Sequence, residues 1–115
     1  LLPIRERVLG PEHPDTLSTR RRLAAFTGEA GDAIGARDMF AALLPVEERV
    51  LGLEHPDTLA TRRQLAAFTG EAGDATGARD MFAALLPVEE RVLGPEHPDT
   101  LSTCRHLAYW TERGN

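Results

Sequence analysis

The chain repeats itself every 42 residues, so that Leu1 aligns with Leu43 and Leu85. The first two units, residues 1–42 and 43–84, differ at six positions: Ile4/Val46, Arg5/Glu47, Pro11/Leu53, Ser18/Ala60, Arg22/Gln64 and Ile34/Thr76. Self-similarity with a period of about 20 to 50 residues is typical of solenoids, in which each unit buries its apolar side only against its neighbours. The repeat therefore predicts an elongated array built from one kind of unit.

Each unit is predicted to contain two helices. The first runs from about Asp15 to Ala30, with Asp15 as the N-cap and Gly31 as part of the stop, and the second runs from about Ile34 to Leu51. Residues 1–9 are expected to be the last third of a second helix. The predicted division of the single array 1–115 is therefore a partial repeat 1–14, helix pairs 15–52 and 57–94, and an unpaired final helix 99–113.

Apolar residues at spacings of three and four predict the sides on which these helices pack. The first helix offers Leu23, Phe26, Thr27 and Ala30, and the second offers Ala36, Phe40, Leu43, Val50 and either Val46 or Glu47. Trp110 replaces Phe26 and Phe68 in the last unit, so we expect it in the core. Cys104 is expected to be a small packing residue.

Pro45 and Pro87 fall inside the second helices. A proline there removes a backbone hydrogen bond at a cost of about 3 kcal/mol, which predicts a bend at the same place in both copies. The alternative is that each proline separates two short helices.

The spacing of Leu23-Ala24, Gly31-Asp32, Ala36, Phe40 and Leu43 resembles that of the packing positions of tetratricopeptide repeats. The 42-residue period and the linker VLGPEHPDTL are similar to the kinesin light chain variety, and also to actinobacterial arrays that stand alone or follow an NB-ARC-type switch domain. The resemblance implies an all-α solenoid with a right-handed superhelix, whose first helices line a concave groove that binds a protein or peptide. Arg20 and Thr27 depart from the apolar and aromatic residues common there, which predicts thinner packing.

Composition restricts the partners. A net charge of −5 disfavours nucleic acid and anionic membranes, which would be repelled by the overall field. Cys104 is the only cysteine, which is typical of a reducing compartment, and we expect the chain to be cytoplasmic. No apolar run reaches the roughly 20 residues that a membrane span needs.

No catalytic, metal or cofactor site is predicted. His13, His55 and His97 recur in the linker, but successive units are displaced by roughly 8 to 10 Å, whereas metal ligands must lie about 2.1 Å from one point. We interpret these histidines as groups that order the linker. Ser18, Ser102 and Cys104 lack the neighbours of a hydrolase triad. The pairs Glu47-Glu48 and Glu89-Glu90 are expected on a solvated, charged helix face.

One stripe of the first helix is predicted to face away from the core, because its members are spaced four, three and four apart. With the flanking arginines, the predicted peptide-binding residues are Ser18, Arg21, Arg22, Ala25, Glu29, Arg63, Gln64, Glu71, Arg105, His106, Tyr109 and Arg113. The arginines favour an acidic peptide. The alternative is that exposed positions vary because little constrains them.

The predicted function is a non-catalytic interaction scaffold that forms the sensor part of a larger bacterial regulatory or defence protein. A structural module that stacks end to end is the alternative. In either case we expect isolated chains to associate end to end, because the near-identical units would let one chain continue the next. Nucleic-acid binding ranks third, since the net charge opposes it.

Overall fold

The computed structural model describes residue 10 and residues 12–114. These residues form five α-helices and no strand: α1 (Pro14–Glu29), α2 (Ala33–Val50), α3 (Pro56–Glu71), α4 (Ala75–Val92) and α5 (Pro98–Gly114). The first helices of the units are α1, α3 and α5, and the second helices are α2 and α4. Every helix begins and ends within one residue of its predicted bounds. The helix predicted for residues 1–9 lies outside the described residues.

A histidine-proline pair begins every first helix. The Nδ1 atom of His13 accepts a hydrogen bond from the backbone nitrogen of Asp15 at 3.1 Å, and His55 and His97 do the same two residues before their own aspartates at 3.0 Å. The prediction that Asp15 is the N-cap is wrong. Because Pro14 fixes the φ angle of the first helical residue, the cap is the residue before it, and Asp15 lies in the first turn.

Aspartate and glycine set the boundary between the two helices of a unit. The side chain of Asp32 accepts a hydrogen bond from the backbone nitrogen of Gly35 at 2.8 Å, and Asp74 repeats this contact with Gly77. Gly31, between the helices, has a φ of 100°, which favours glycine and stops α1. The connection inside a unit is therefore short and defined by hydrogen bonds.

The second helices run without interruption through their prolines. Pro45 lies inside α2 and Pro87 lies inside α4, so the alternative of two short helices is wrong. A bend at each proline stays a prediction.

Each helix packs chiefly against the helices before and after it in the chain, and the first helices also touch one another, α1 with α3 and α3 with α5. This arrangement confirms the predicted all-α solenoid. Two clusters of buried residues form its core: Ala24, Ala36, Phe40, Leu65 and Phe68, then Ala66, Ala78, Phe82 and Trp110. The prediction for Trp110 is confirmed. No described helix has both the length and the apolar character needed to cross a membrane.

The predicted apolar side of the first helix is buried in α3 but not in α1. Phe68 is 9% exposed, whereas Phe26, at the same position of the unit before, is 63% exposed, and Leu23 and Ala30 are exposed as well. The residues that cover Phe68 belong to the preceding unit, and no described residue takes their place over Phe26. Cys104 is exposed too, so its prediction as a packing residue is wrong.

Candidate interaction groove

A cleft lies between the first helices α1 and α3. It has a volume of about 240 Å³. Its lining consists of Ser18, Arg21, Arg22 and Ala25 of α1, Ala60, Thr61 and Gln64 of α3, and Phe40 of α2. The predicted stripe residues of α1, apart from Glu29, therefore face the next first helix.

The groove between α3 and α5, called here the α3–α5 groove, is larger. It consists of two adjoining clefts of about 350 and 460 Å³ that share Ala67, Glu71 and His106. The smaller is also lined by Ala60, Arg63, Gln64, Phe82 and Ser102, and the larger by Arg105, Tyr109 and Trp110. Ten of the twelve predicted site residues line one of these clefts, and Glu29 and Arg113 line none of the three.

A buried ion pair joins the two helices of each helix pair, α1 with α2 and α3 with α4. Glu47 in α2 is 0% exposed and pairs with Nη1 of Arg21 in α1, and Glu89 in α4 is equally buried and pairs with Nη1 of Arg63 in α3. The Oγ1 atom of Thr103 in α5 donates a hydrogen bond to Oε1 of Glu89. Each carboxylate thus holds together two helices of its own unit, and Glu89 also binds the next first helix.

The same arginines reach forward to the next unit. Nη2 of Arg21 lies 3.2 Å from Oδ2 of Asp57 at the start of α3, and Nη2 of Arg63 lies 3.3 Å from Oδ2 of Asp99 at the start of α5. Both arginine side chains are only 19% exposed. The predicted solvated face is therefore wrong for Glu47 and Glu89, although Glu90 is exposed.

These pairs divide the predicted arginines into two groups. Arg21 lines the cleft between α1 and α3, and Arg63 lines the α3–α5 groove. Each guanidinium group is already paired with two carboxylates, one on the second helix of its own unit and one on the next first helix. By contrast, the side chains of Arg22, Arg105 and Arg113 make no ion pair or hydrogen bond with other described residues. Of these three arginines, Arg105 and Arg113 lie on α5, and Arg22 lies on α1.

Aromatic side chains accompany this charge on α5. The His106 ring stacks on Phe82 with the ring centroids 4.9 Å apart, and the Tyr109 ring meets Trp110 edge to face at 4.7 Å. The guanidinium carbon of Arg113 lies 4.2 Å from the centroid of Tyr109, in the range of a cation–π contact. Tyr109 is nevertheless 45% exposed, which leaves its ring open to a ligand.

His106 is biased toward its neutral form. Burial lowers its pKa below the ordinary value, the nearby Arg105 lowers it further, and Glu71 across the groove acts in the opposite direction. A neutral imidazole can donate one hydrogen bond and accept another. The wall of the groove formed by α5 thus combines a free cation, a neutral polar ring and an exposed phenol.

The sequence contained a signal for the buried glutamates. Glu47 follows Ala36, Phe40 and Leu43 at spacings of four, three and four, which continues the buried side of α2, while the alternative Val46 is only half-buried. Arg21 lies 26 residues before Glu47, and Arg63 lies 26 residues before Glu89. A charge of opposite sign that recurs with the repeat would have predicted this pairing.

The linker histidines act as helix caps, which fits their interpretation as ordering groups. In the part of the chain that the structure describes, no three His, Cys, Asp or Glu side chains lie close enough to hold a metal ion.

Comparison with known proteins places the chain in a family. The tetratricopeptide repeat model matches residues 16–57 and 58–99. No curated protein sequence matches the chain. Among solved structures, it is similar to a kinesin light chain-like protein of Podosopora anserina with nearly identical TPR-like repeats, at 25% sequence identity and a TM-score of 0.86. A variant of that protein with a single Gln-to-Met substitution gives the same identity and TM-score.

Both matches cover 95% of this chain but only 52% and 51% of the other chains, so this chain spans about half the length of those proteins. The family model covers most of the sequence in two tandem copies, and the helix pairs have the same period. The chain belongs to the tetratricopeptide repeat family, whose members are in general protein-interaction scaffolds.

Proposed function

We propose that this array holds an extended acidic segment of another protein in the groove formed by its first helices, and that it catalyses no reaction. The observation that carries the proposal is the α3–α5 groove, where a cleft of about 460 Å³ is lined by Arg105, His106 and Tyr109. Pockets that combine apolar walls with a few polar groups are the usual form of a binding site. The single exposed cysteine fits a cytoplasmic location.

Charge favours an acidic partner at this place although the whole chain is acidic. Arg105 and Arg113 are exposed on α5, and Arg105 lines the larger cleft of the α3–α5 groove together with the carboxylate of Glu71. An acidic side chain of the partner would meet Arg105, while an apolar side chain could lie on the exposed part of Tyr109. Charge-assisted hydrogen bonds of this kind are worth about 1.5 to 3 kcal/mol.

A peptide panel tests the proposal. Twelve-residue peptides with four Glu, four Gln or four Lys, each with and without one Phe, would be measured by fluorescence polarisation at low and high salt. We expect the Glu peptides with Phe to bind best and to weaken as salt screens the charges. Arg105→Ala should weaken binding about tenfold, the equivalent of 1.4 kcal/mol.

Arg91→Ala is the matched control, because Arg91 is an exposed arginine on α4 that pairs with Glu54 at 2.5 Å and lines none of the three clefts. Arg63→Ala is not a suitable test of binding, since it leaves Glu89 buried without its cation. If the Gln or Lys peptides bind as well as the Glu peptides, the acidic ligand is wrong.

A sensor role within a larger bacterial regulatory or defence protein stays part of this proposal and rests on the sequence resemblance alone. Its test is whether the full-length protein responds to the same peptides through a second domain.

End-to-end association of chains is the second candidate. Exposed Leu23 and Phe26 on α1 favour it, because the same positions are buried in α3. The other side of such a contact would be the outer face of α5, and Glu112 lies there in place of a glycine. Binding of a different protein is therefore the better supported function. The sequence alone predicts end-to-end association, whereas Glu112 on α5 leads us to expect a monomer in sedimentation. An oligomer that Phe26→Glu dissociates would reverse this order.

A further inference from the structure

A glycine on each of the first two first helices lies directly against the aromatic ring of the next first helix. Gly28 of α1 lies against Phe68 of α3, and Gly70 of α3 lies against Trp110 of α5. A Cβ atom on Gly28 would collide with the Phe68 ring, and one on Gly70 would lie 2.5 Å from Cζ2 of Trp110. Atoms of real side chains do not approach this closely. Because both rings belong to buried clusters, they cannot move aside without disturbing the core.

The third first helix lacks this glycine. Counting 42 residues from Gly28 leads to Gly70, and counting 42 more leads to Glu112 in α5. Glu112 is exposed. Its Cβ alone would occupy the space that the aromatic ring of a following first helix needs, and burial of its carboxylate would add a desolvation penalty unless a cation were supplied.

We propose that Glu112 closes the regular stack at α5: the outer face of this helix does not accept a further first helix that carries an aromatic residue at the position of Phe26, Phe68 and Trp110.

This closure gives the array a direction. Its α1 side presents an exposed Phe26, which fits a preceding helix pair that carries glycine at the position of Gly28. Its α5 side presents a carboxylate at the place of that glycine. One chain therefore cannot continue another in the register that α3 and α5 use within the chain.

The contact between Gly70 and the Trp110 ring can be tested in the chain without any extension. Gly70→Ala should lower the midpoint of thermal unfolding although alanine ordinarily stabilises a helix relative to glycine. In a Trp110→Ala background the same substitution should raise the midpoint, because the ring that collides with the new methyl group is gone. Glu112→Ala should leave the midpoint unchanged or slightly raised. A Gly70→Ala variant that is stabilised in both backgrounds would overturn the proposal.

The closure is tested by extending the chain after Gly114 with a copy of residues 31–72, which adds a second helix and a first helix in register. Three versions would be compared, the unsubstituted one with Glu112 and the variants Glu112→Ala and Glu112→Gly, and hydrogen exchange would report protection of the appended first helix. We expect protection and a raised unfolding midpoint only in the Glu112→Gly version. Equal protection in the unsubstituted version, or no protection in the Glu112→Gly version, would show that position 112 does not decide whether the stack continues.

Discussion

The helices α3 and α5 occupy the same place in successive units, yet they use similar residues differently. Arg63 of α3 is bonded to buried Glu89 and to Asp99, whereas the described residues offer Arg105 of α5 no such carboxylate. Gln64, Ala67 and Glu71 on the groove side of α3 become His106, Tyr109 and Arg113 on α5. One helix therefore directs its arginine into the array, and the other presents cation and aromatic groups to the groove.

Arg21 and Arg63 each pair with a buried glutamate of the second helix that follows them, and no second helix follows α5 among the described residues. The role of such an arginine depends on the neighbouring unit, because a solenoid residue is surrounded by more than its own repeat.

The largest expected difference between α3 and α5 concerns the stability lost when Arg63 or Arg105 is replaced. Arg63→Ala leaves Glu89 as a buried, uncompensated charge, which should reduce the free energy of unfolding by about 3 to 5 kcal/mol. Arg105→Ala removes an exposed side chain and should change it by less than about 0.5 kcal/mol. Urea denaturation followed by circular dichroism measures both.

A double substitution separates the lost ion pair from the stranded charge. Arg63→Met with Glu89→Met removes both charges and should recover most of the stability that Arg63→Ala loses, because apolar residues of similar volume can replace a buried pair. Equal losses from Arg63→Ala and Arg105→Ala would contradict the distinction between the two helices.

A second prediction extends the comparison to α1. Phe68→Ala removes a buried ring that stacks on Phe40 and should cost about 3 kcal/mol of unfolding free energy. Phe26→Ala, the same substitution in an almost identical unit, should cost less than about 1 kcal/mol because that ring is already mostly in solvent. Thermal unfolding of the two variants checks this, and similar losses would mean that Phe26 is covered in solution.

The fold could be predicted from the sequence because the ends and the buried sides of the helices depend on residues that are close together in the chain. Gly31 and the apolar spacing of Ala36, Phe40 and Leu43 determine helix ends and buried sides without reference to distant residues. The exposure of Phe26 could not be predicted in this way, since it depends on which neighbour is present and not on the residue itself. Residue type was also misleading at Glu47, where charge suggested solvent but position on the helix placed it in the core.

The candidate groove was predicted in outline only. Ser18, Arg22 and Ala25, which were selected by their spacing along α1, line one cleft. The partners of Arg21 and Arg63 are separated from them by 26 residues on another helix, and such a pairing follows from packing rather than from the pattern of one helix. Whether these residues bind a ligand stays a prediction.

The third prediction concerns a feature that α3 and α5 share, where the two helices should behave alike. His55→Ala and His97→Ala each remove the acceptor of an N-terminal hydrogen bond, and loss of an N-cap side chain usually costs about 1 kcal/mol. We expect the two variants to lose the same amount of unfolding free energy within error. Asparagine at either position should restore most of it, since its side chain can also cap a helix. Unequal losses would show that the caps differ in their tertiary contacts.

The smallest expected effect is a change with pH in the stability that His106 of α5 contributes. His106→Gln restores the residue type of Gln64 in α3 and removes the stack on Phe82 together with a group whose pKa is lowered by burial and by Arg105. Because the folded chain holds this histidine at a pKa below its unfolded value, the unfolded chain binds more protons between those two values, and the stability that His106 contributes rises with pH. That contribution is complete above the unfolded pKa of about 6.5 and is lost as the pH falls through the folded pKa. The difference in unfolding free energy between wild type and His106→Gln should therefore shift in favour of the variant as the pH is lowered from about 7.5 to 5. Groups that do not interact with His106 cancel in this difference. A difference that is constant over this range, or that shifts in favour of the wild type at low pH, would show that His106 is not held in its neutral form beside Phe82 of α4.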